Sequence, residues 1–497
     1  MTTSLSVARV ELSKQINDYW ASTTTGAGSA TTLVDDLLKA KQSAWIGKDM
    51  YDLITSATTY IFTVSSASAT IGATYTNNSV TFTVLATIAP DTTLYCSATS
   101  APEDSGTLTK ATGTGDNTIT FSTYSTCEDE ERKISSLSTS TLTTLAHSGL
   151  IATATTYEVH RLFSASEKRI ALIAAARMAW PYIHEKIWDE SMVSGNWFKD
   201  GSFEIWTSSS ALTCWTTTTS TIAKTTTSPY YKHGDTSCKI STAAGTVKQS
   251  ITNWDDLKRL AGQTVTFSIQ AHCDTASCLR VSINDGATQT YSSYHAGDSA
   301  WTQDDPRNDS MYVQQFIDWN PTEITFTIHH EVAAATSYVD DARAIGPYQP
   351  RLFIETLGLS QEKPVQIEIE PSNYSTDEPW AQVFNSRLDT ELGYLYLPSS
   401  VRRDRRLRIK GIGYLDFVDS SGDSGTDWDD TININSPQTD ILIAQAIVYL
   451  YTQMSLPNFS RSTRQDFQEM IGFWEDKLRR QIGKHGMEVQ SIPVRFK

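Results

Sequence analysis

The sequence Gly195-Asn-Trp-Phe-Lys-Asp-Gly-Ser-Phe-Glu-Ile-Trp206 lies between two different kinds of pattern. Before it, residues 166–192 are rich in apolar side chains at helical spacing. After it, threonine-rich stretches of short alternation extend to Tyr338-Val-Asp-Asp341, and helical spacing returns only near Ser436. This order predicts a whole β domain inserted into a helical protein, with its two ends close together. A modular chain of this kind favours a structural or binding role over catalysis.

The chain as a whole is expected to have an α+β multidomain fold, in which a helical core is interrupted by a small β-sandwich and a larger jelly-roll β-sandwich. The small insert is indicated by Val80-Thr-Phe-Thr-Val84, where apolar residues and threonine alternate as in a strand. The predicted segments are 1–60 (N-terminal helical part of the core), 61–127 (small all-β, immunoglobulin-like insert), 128–195 (core continued), 196–348 (jelly roll) and 349–497 (C-terminal strands, two helices and an extended tail).

Three helical segments, at residues 166–187, 436–454 and 462–485, would build the core. For the first helix, Ser164 and Glu167 have the spacing of a capping box. A proline at position 181 should end or kink it.

The second of these helices has its own start and burial signals. Ser436 is the expected cap, and Pro437 would occupy the first turn, where a missing N–H costs nothing. The run Ile441–Tyr451 is apolar almost all round, so this helix should be buried in a subunit core or between subunits.

Charge is unevenly spread along the chain. The 40 basic and 56 acidic residues give a formal net charge of −16, which argues against a protein that coats nucleic acid. Locally, Val401–Lys410 holds five arginines, one lysine and one aspartate, and strand alternation would turn Leu407 and Ile409 inward. The basic residues expected to line a DNA channel or an acidic subunit interface are Arg402, Arg403, Arg405, Arg406 and Arg408. A solvated basic face is the alternative.

Motifs for catalysis, secretion and membrane insertion are missing from the sequence. It contains no G-x-S-x-G elbow, no P-loop and no dinucleotide-binding fingerprint. It has no signal peptide and no apolar run of membrane-spanning length, so no membrane partner is expected. The six cysteines form no CxxC pair, which predicts buried thiols in a reducing cytoplasm. We therefore expect a protein that is not an enzyme and carries no organic cofactor.

The inserted domain resembles a known family. Asp200-Gly-Ser-Phe-Glu-Ile-Trp206, Trp215 and the closing Ser337-Tyr-Val-Asp-Asp-Ala-Arg343 are similar to galactose-binding-like jelly rolls of carbohydrate-binding modules. In that family an early Glu and a late Asp surround a structural calcium ion, which the resemblance places at Glu204 and at Asp340 or Asp341. A hard cation would tie the first and last strands together through their carboxylates. The alternative is that these carboxylates cap turns without a metal.

Aromatic side chains of this domain are the candidates for contact with a sugar. The residues expected to make that contact are Tyr230, Tyr231, Tyr294 and Trp301. Core packing is the alternative role, since it accounts for most aromatic residues in such domains.

The surrounding chain resembles bacteriophage head-to-tail adaptor (connector) proteins, which lie below the portal. The likeness is carried by Ser166–Pro181 with Asp189-Glu-Ser191, by Leu397–Tyr414, and by the insert at Ala73–Val84, which looks like a β module of phage structural proteins. The resemblance implies a structural virion protein at the neck, assembled in the host bacterial cytoplasm, that joins the portal protein to tail or neck proteins. It also implies a homo-oligomeric ring with the twelve-fold symmetry of the portal. Contact with packaged DNA is expected only if the basic residues named above line the DNA channel.

The C-terminal tail after Gly486 has extended character. Ile492, Val494 and Phe496 share one alternation face. Together with Val489 they are expected to dock on the portal by adding a strand to its sheet, as adaptor tails do. A frayed terminus is the alternative.

These patterns lead to functional hypotheses of different classes. The first is the head-to-tail adaptor ring. The second is a glycan-binding phage fibre or decoration protein, in which residues 196–348 bind sugar and the helices anchor the protein. A secreted polysaccharide-active enzyme is the third, and the missing signal peptide and missing catalytic pair disfavour it.

Overall fold

The structure is a computed structural model. It describes residues 2–40, 50–65, 67–88, 92–103, 105–302, 311–333, 335–347, 349–354, 366–371, 379–389, 391–420, 422, 424–456 and 461–487. The chain forms two compact units, the first comprising residues 1–183 and 415–487 and the second residues 184–414. No helix in the described ranges is long and apolar enough to cross a membrane.

The predicted helical core is wrong, because strand accounts for 42% of the structure and helix for only 18%. The many threonine, valine and isoleucine residues of the chain favour strands over helices. The described residues form five α-helices, which are α1 (Leu5–Gln15), α2 (Ala165–Met178), α3 (Trp254–Leu260), α4 (Gln438–Ser455) and α5 (Arg461–His485).

A seven-stranded antiparallel sheet forms one layer of the first unit. In spatial order its strands are Trp20–Thr23, Thr156–His160, Tyr51–Ser56, Glu131–Ser138, Thr141–Thr144, Thr32–Val34 and Gly26–Ser29. Among the described residues of 1–60, α1 is the single α-helix. The segment around Leu33, which was expected to be helical, is a strand that pairs with Thr141–Thr144, and Leu33 is buried there. Asp36–Ala40 forms a 3-10 turn, and Thr3–Ser4 pairs separately with Thr431–Ile432.

The small insert is a closed six-stranded antiparallel barrel rather than the expected sandwich. Around the barrel its strands are Gly106–Thr112, Thr118–Thr126, Thr59–Val64, Thr93–Ser97, Val80–Ile88 and Thr74–Asn77. The predicted alternation is confirmed, since Phe82 and Val84 are buried while Thr81 and Thr83 are not. The barrel closes because Gly106–Thr112 has a strand partner on each side, which leaves no open edge for unwanted pairing.

Helices α1, α2, α4 and α5 of the first unit share one hydrophobic core. The middle of this core is α4, which packs against both α2 and α5. Its buried residues are Ile441, Leu442, Ile443, Ala444, Ala446, Ile447, Leu450 and Tyr451. The prediction that this apolar run is buried is therefore confirmed, and its packing partners lie within the same chain.

The ends of the helices agree only in part with the sequence-based expectations. The capping box is confirmed, since Glu167 N–H donates to Ser164 Oγ at 3.1 Å and Ser164 N–H donates to Glu167 Oε2 at 2.8 Å. Helix α2 ends at Met178, ahead of Pro181, which has no N–H to continue it. The predicted helical segment 166–187 is therefore too long at its C-terminal end, because Glu185–Val193 is a strand that pairs with Arg406–Gly413.

The expected cap of α4 is also wrong. Pro437, rather than Ser436, occupies the position before the first helical residue, and no side chain caps the helix there. Helix α4 is therefore stabilised by the burial of its apolar side chains rather than by a capping residue at its N-terminus.

Residues 196–347 form a jelly-roll β-sandwich, as the sequence predicts. In spatial order one sheet, here called the Tyr338 sheet, contains Thr221–Thr225, Ser237–Ser241, Ser337–Ile345, Thr264–Cys273 and Tyr312–Phe316. The other, called the His329 sheet, contains Thr216–Thr218, Gly245–Ile251, Ile324–His330, Leu279–Asn284 and Gln289–Tyr291. Between them lies a large apolar core in which Phe198, Phe267 and Phe326 make edge-to-face contacts. A hairpin (Trp206–Ser208, Ala211–Leu212) and α3 complete the domain.

The remaining residues that the structure describes in the second unit form two smaller antiparallel sheets. The four-stranded sheet contains, in order, Glu185–Val193, Arg406–Gly413, Gln366–Ile369 and Ala381–Val383. The three-stranded sheet contains Arg351–Phe353, Tyr394–Tyr396 and Arg387–Asp389. The alternation predicted for the basic stretch is confirmed, because Leu407 and Ile409 are fully buried whereas Arg406 and Arg408 are partly exposed.

The chain enters and leaves the jelly roll at adjacent positions, as predicted. Asn196 forms a β-bridge with Ile345. Its side-chain Nδ2 donates to Ala342 O at 2.9 Å, and its Oδ1 accepts from Ala344 N at 2.9 Å and Phe198 N at 3.2 Å. Because Asn196 is buried, these bonds satisfy an amide that would otherwise be costly. One side chain thus joins the first and last segments of the domain.

A buried ion pair stands beside α2 in the first unit. Lys168 Nζ lies 2.8 Å from Asp18 Oδ2 and 2.9 Å from His160 Nδ1. Asp18 also accepts backbone N–H groups from residues 161–163, directly before α2. Burial lowers the pKa of Lys168 and also that of His160. The loop after α1 is thereby fixed to the start of α2.

We expect Lys168→Met to destabilise the first unit by about 3–5 kcal/mol, because it leaves the Asp18 carboxylate buried without its partner. Hydrogen–deuterium exchange of α2 peptides in the full chain measures this as faster exchange. The matched control is Lys14→Met, which breaks an exposed pair with Glu11 and should cost less than ~1 kcal/mol. Equal protection of α2 in both variants would contradict the prediction.

Candidate functional site

Four aromatic side chains come together on the outer side of the Tyr338 sheet. Tyr230 stacks on Tyr338, with ring centroids 4.3 Å apart and planes at 19°. His272 approaches Tyr230 and Tyr338 edge-on, at 5.7 and 5.8 Å. Trp301 lies 5.8 Å from His272. All four residues are partly exposed, and we call them the aromatic face.

Strand alternation positions the two members of the aromatic face that the sequence analysis missed. Ala271 and Val339 are buried in the jelly-roll core, so their neighbours His272 and Tyr338 lie on the opposite side of the sheet. These two residues face each other directly in the strand register. Alternation could have marked each as outward-facing, but only the strand order shows that they are neighbours.

Loops position the other two members of the aromatic face. The Trp301 indole Nε1–H donates to Pro229 O at 2.8 Å, which ties the ring to the loop that carries Tyr230. The same loop is joined to the sheet because Ser237 Oγ donates to Tyr230 O. Both predicted contacts, Tyr230 and Trp301, are therefore held in place by the backbone of one loop.

The remaining predicted sugar contacts lie outside the aromatic face. Tyr294 belongs to a separate group next to the His329 sheet, where its Oη donates to Glu331 Oε2 at 2.6 Å and its ring lies 4.9 Å from the Arg280 guanidinium carbon. Tyr231 follows Tyr230 in the chain but makes no ring contact with other described residues. The structure thus brings two of the four predicted residues together.

Polar side chains border the aromatic face. Lys239 stands directly opposite Tyr338 on the adjacent strand. Burial, together with the neighbouring Tyr230 and Asp274, raises the pKa of Tyr338, so its phenol remains a neutral donor near pH 7. The flat apolar rings can pack on the C–H groups of a ligand. The Lys239 ammonium, the Asp274 carboxylate and the Tyr338 phenol beside them can bond its hydroxyl groups.

Two of the three carboxylates predicted to hold calcium, Glu204 and Asp340, accept hydrogen bonds from the loop 232–236. Glu204 Oε1 accepts two backbone N–H groups of this loop, at 2.8 and 3.1 Å. Asp340 Oδ2 accepts two others, at 2.7 and 2.9 Å. Asp341 forms a buried ion pair with Arg343. Two of the three carboxylates thus accept hydrogen bonds from one loop, and the third is paired with an arginine.

These contacts do not fit a metal centre. Within the described ranges, no three His, Cys, Asp or Glu residues are arranged to hold an ion. The Arg343 guanidinium already neutralises Asp341, and N–H donors occupy the other two carboxylates. Calcium binding stays a prediction, and we derive no function from it.

Burial raises the pKa of three carboxyl groups of the jelly roll. Burial raises the pKa of Asp200 to about 7, although backbone N–H groups of the following turn oppose this. Burial likewise raises the pKa of Glu204 to about 7, against its bonds to Thr236 and Asp235. The pKa of Asp340 is well above its usual range for the same reason.

Two arginines of the predicted DNA channel or subunit interface are paired within the second unit. Arg408 Nε lies 2.6 Å from Glu190 and its Nη1 lies 3.1 Å from Glu368. Arg406 Nη2 lies 3.2 Å from Glu370. The local positive charge is therefore largely compensated, and contact with DNA or with a partner subunit stays a prediction.

The other predicted interface residues have different positions. Ser194 Oγ donates to the carbonyl groups of Arg402 and Arg405, and the Arg403 side chain donates to Gly346 O. These contacts tie the residues to the segments where the chain enters and leaves the jelly roll. The predicted portal-docking residues, Val489, Ile492, Val494 and Phe496, lie outside the described residues.

Comparisons with known proteins give matches only among solved structures. No family model and no curated protein matches the chain. A family 61 carbohydrate-binding module solved with β-1,4-galactotriose is 14% identical, with 31% of this chain and 99% of that chain covered and a TM-score of 0.24. The xylan-binding family 22 module of Paenibacillus barcinonensis Xyn10C is 15% identical, with 30% and 92% covered and a TM-score of 0.23.

A phage protein is also among the matches. Tailspike protein 4 of bacteriophage CBA120 is 13% identical over its enzymatically active domain, with 32% of this chain and 21% of that chain covered and a TM-score of 0.22. At these TM-scores the likeness carries no argument about function. The jelly-roll assignment rests on the strand order given above.

We expect the thermal midpoint of the jelly roll to fall as pH rises from about 5 to about 8. In this window folded Asp200 and Glu204 retain protons that the unfolded chain has released, because burial raises their pKa to about 7. The jelly roll is therefore more stable at about pH 5 than at about pH 8. In Glu204→Gln the thermal midpoint should change less with pH. Differential scanning calorimetry of the full chain measures the midpoint.

Glu323→Gln is the control for this pH dependence. Its pKa is lowered by hydrogen bonds from Ser250 and Thr325, so it titrates below the window and should leave the slope unchanged. A midpoint that rises with pH in the wild-type chain would contradict the assignment of these raised pKa values.

Proposed function

We propose that this protein binds a glycan through the aromatic face of its jelly roll. The observation that carries the proposal is the group of Tyr230, Tyr338, His272 and Trp301, partly exposed and held by one sheet and one loop. Rings of this kind present apolar faces that pack on the C–H side of a sugar. Lys239 and Asp274 beside them can bond its hydroxyl groups.

Preorganisation favours binding at this face. The rings are restrained by mutual stacking, by the Trp301 bond to Pro229 and by strand pairing. A ligand would therefore immobilise few additional side chains, which lowers the entropic cost of association. Binding alone, without catalysis, is the activity that we propose.

As the setting of this activity we propose a phage fibre or decoration protein. This rests on the sequence resemblance of the insert at residues 73–84 to phage structural modules. The adaptor hypothesis is not carried further, because the helical core on which it depended is not the fold of this chain.

Tyr338→Ala should weaken binding of a recognised oligosaccharide by about tenfold or more, because a central aromatic contact contributes about 2 kcal/mol and ~1.4 kcal/mol is tenfold. Affinity electrophoresis of the full chain measures this, with galactan, xylan and bacterial surface polysaccharides in the gel. Trp301→Ala should have a similar effect.

The matched control is Tyr291→Ala, which removes a 43% exposed ring next to the other sheet and should retain wild-type mobility shifts. Calorimetry of each variant separates lost binding from lost folding. The proposal is wrong if the wild-type chain is retarded by some polysaccharide and folded Tyr338→Ala and Trp301→Ala are retarded equally, or if no polysaccharide retards the wild-type chain.

A further inference from the structure

A second candidate site is a cleft of about 700 Å³ in the same unit. It opens between the jelly-roll loop 232–235 and residues 185–190 of the four-stranded sheet, and Glu204 and Arg406 also line it. Its volume falls within the ~300–1,000 Å³ typical of ligand clefts. None of its lining residues belongs to the aromatic face, so it is a separate place on the molecule.

Trp188 provides the large apolar surface of this cleft. The residue is 59% exposed, which is high for an indole. Its orientation is nevertheless restrained, since Nε1–H donates to Glu190 Oε1 at 2.8 Å and Lys410 Nζ lies 4.3 Å from the ring centroid. An exposed ring that is already held in place loses little freedom when a ligand packs on it.

Hydrogen-bonding groups surround the indole. Asp189 is oriented by Ser191, whose N–H and Oγ donate to it at 3.2 and 2.9 Å, and burial raises the pKa of Asp189. Asp235 and Lys186 are exposed, and their side chains make no hydrogen bond to the described part of the chain. These groups can therefore accept from and donate to a ligand.

The charge of the lining indicates the class of ligand. It carries five carboxylates and three basic side chains, a formal excess of two negative charges with His233 neutral. Nucleic acid or another polyanion would need a basic surface, which this cleft lacks. The cleft instead combines an apolar indole with acidic side chains that accept hydrogen bonds and basic side chains that donate them. This combination is complementary to an uncharged polyol.

We propose that this cleft binds an uncharged saccharide, with a sugar ring packed on Trp188 and its hydroxyl groups bonded to Asp189, Asp235 and Lys186. The inference does not depend on the proposed function, because different residues carry it. If both sites bind one polysaccharide, the second attachment would be intramolecular and would raise the overall avidity.

The test is fluorine NMR of the full chain labelled with 5-fluorotryptophan. Loss of one resonance in Trp188→Phe assigns the signal of the cleft, and Trp301→Phe assigns that of the aromatic face. The labelled chain is titrated with galactotriose, xylohexaose and maltohexaose, and with polygalacturonate as an anionic probe. We expect an uncharged oligosaccharide to shift the Trp188 resonance, and Asp235→Ala to weaken that binding by about tenfold.

Trp254 is the matched control, since it is 56% exposed and also has an ammonium, Lys258 Nζ, 5.0 Å from its ring. Its resonance should not move. The inference is overturned if no uncharged oligosaccharide shifts the Trp188 signal, or if polygalacturonate alone does. If only the Trp301 resonance shifts, the aromatic face binds the saccharide and the cleft does not. If only the Trp188 resonance shifts, the cleft binds it and the aromatic face does not.

Discussion

The second unit depends on how the two ends of the jelly roll are joined. The buried Asn196 amide bonds to Phe198 at the first end and to Ala342 and Ala344 at the last. Arg343 lies between Asp341 and Asp404, 3.1 Å from the latter. A buried charge or amide without a partner would be costly, so Arg343 and Asn196 both need the partners that this junction provides. They hold the jelly-roll loops beside the four-stranded sheet, with His233 only 3.3 Å from Arg406. The cleft lies where these two parts of the second unit meet.

Local patterns predicted the parts of the fold that depend on near neighbours. The Thr/apolar alternation at residues 80–84 and the capping box of α2 are both present, and five of the six cysteines are buried free thiols. The predicted helical core failed because helical spacing at residues 182–192 competes with long-range strand pairing. Ile187 lies opposite Gly411 in a sheet, and no local signal reveals a partner so distant in the chain.

The candidate sites were also predictable only where they depend on single residues and not on the pairing of distant strands. Tyr230 and Trp301 could be proposed because exposed aromatic residues in a β domain are natural candidates. His272 and Tyr338 could not, since their proximity follows from the register of two strands far apart in sequence. Helical spacing extends past Trp188 in the sequence, and only the place of this residue on the strand Glu185–Val193 puts its ring beside Lys410. The sequence thus indicated some of the residues of a site, but not which residues the fold brings next to one another.

The barrel closure has a consequence for how this chain could have been put together. Tyr60 and Thr126, near the start and end of the barrel, are paired on adjacent strands, and such strands are about 4.8 Å apart. The flanking strands of the seven-stranded sheet could therefore be reconnected by a short turn, at a small entropic cost of loop closure. A gene could gain, lose or exchange this barrel as a cassette between related proteins, while the sheet that carries it keeps its pairing.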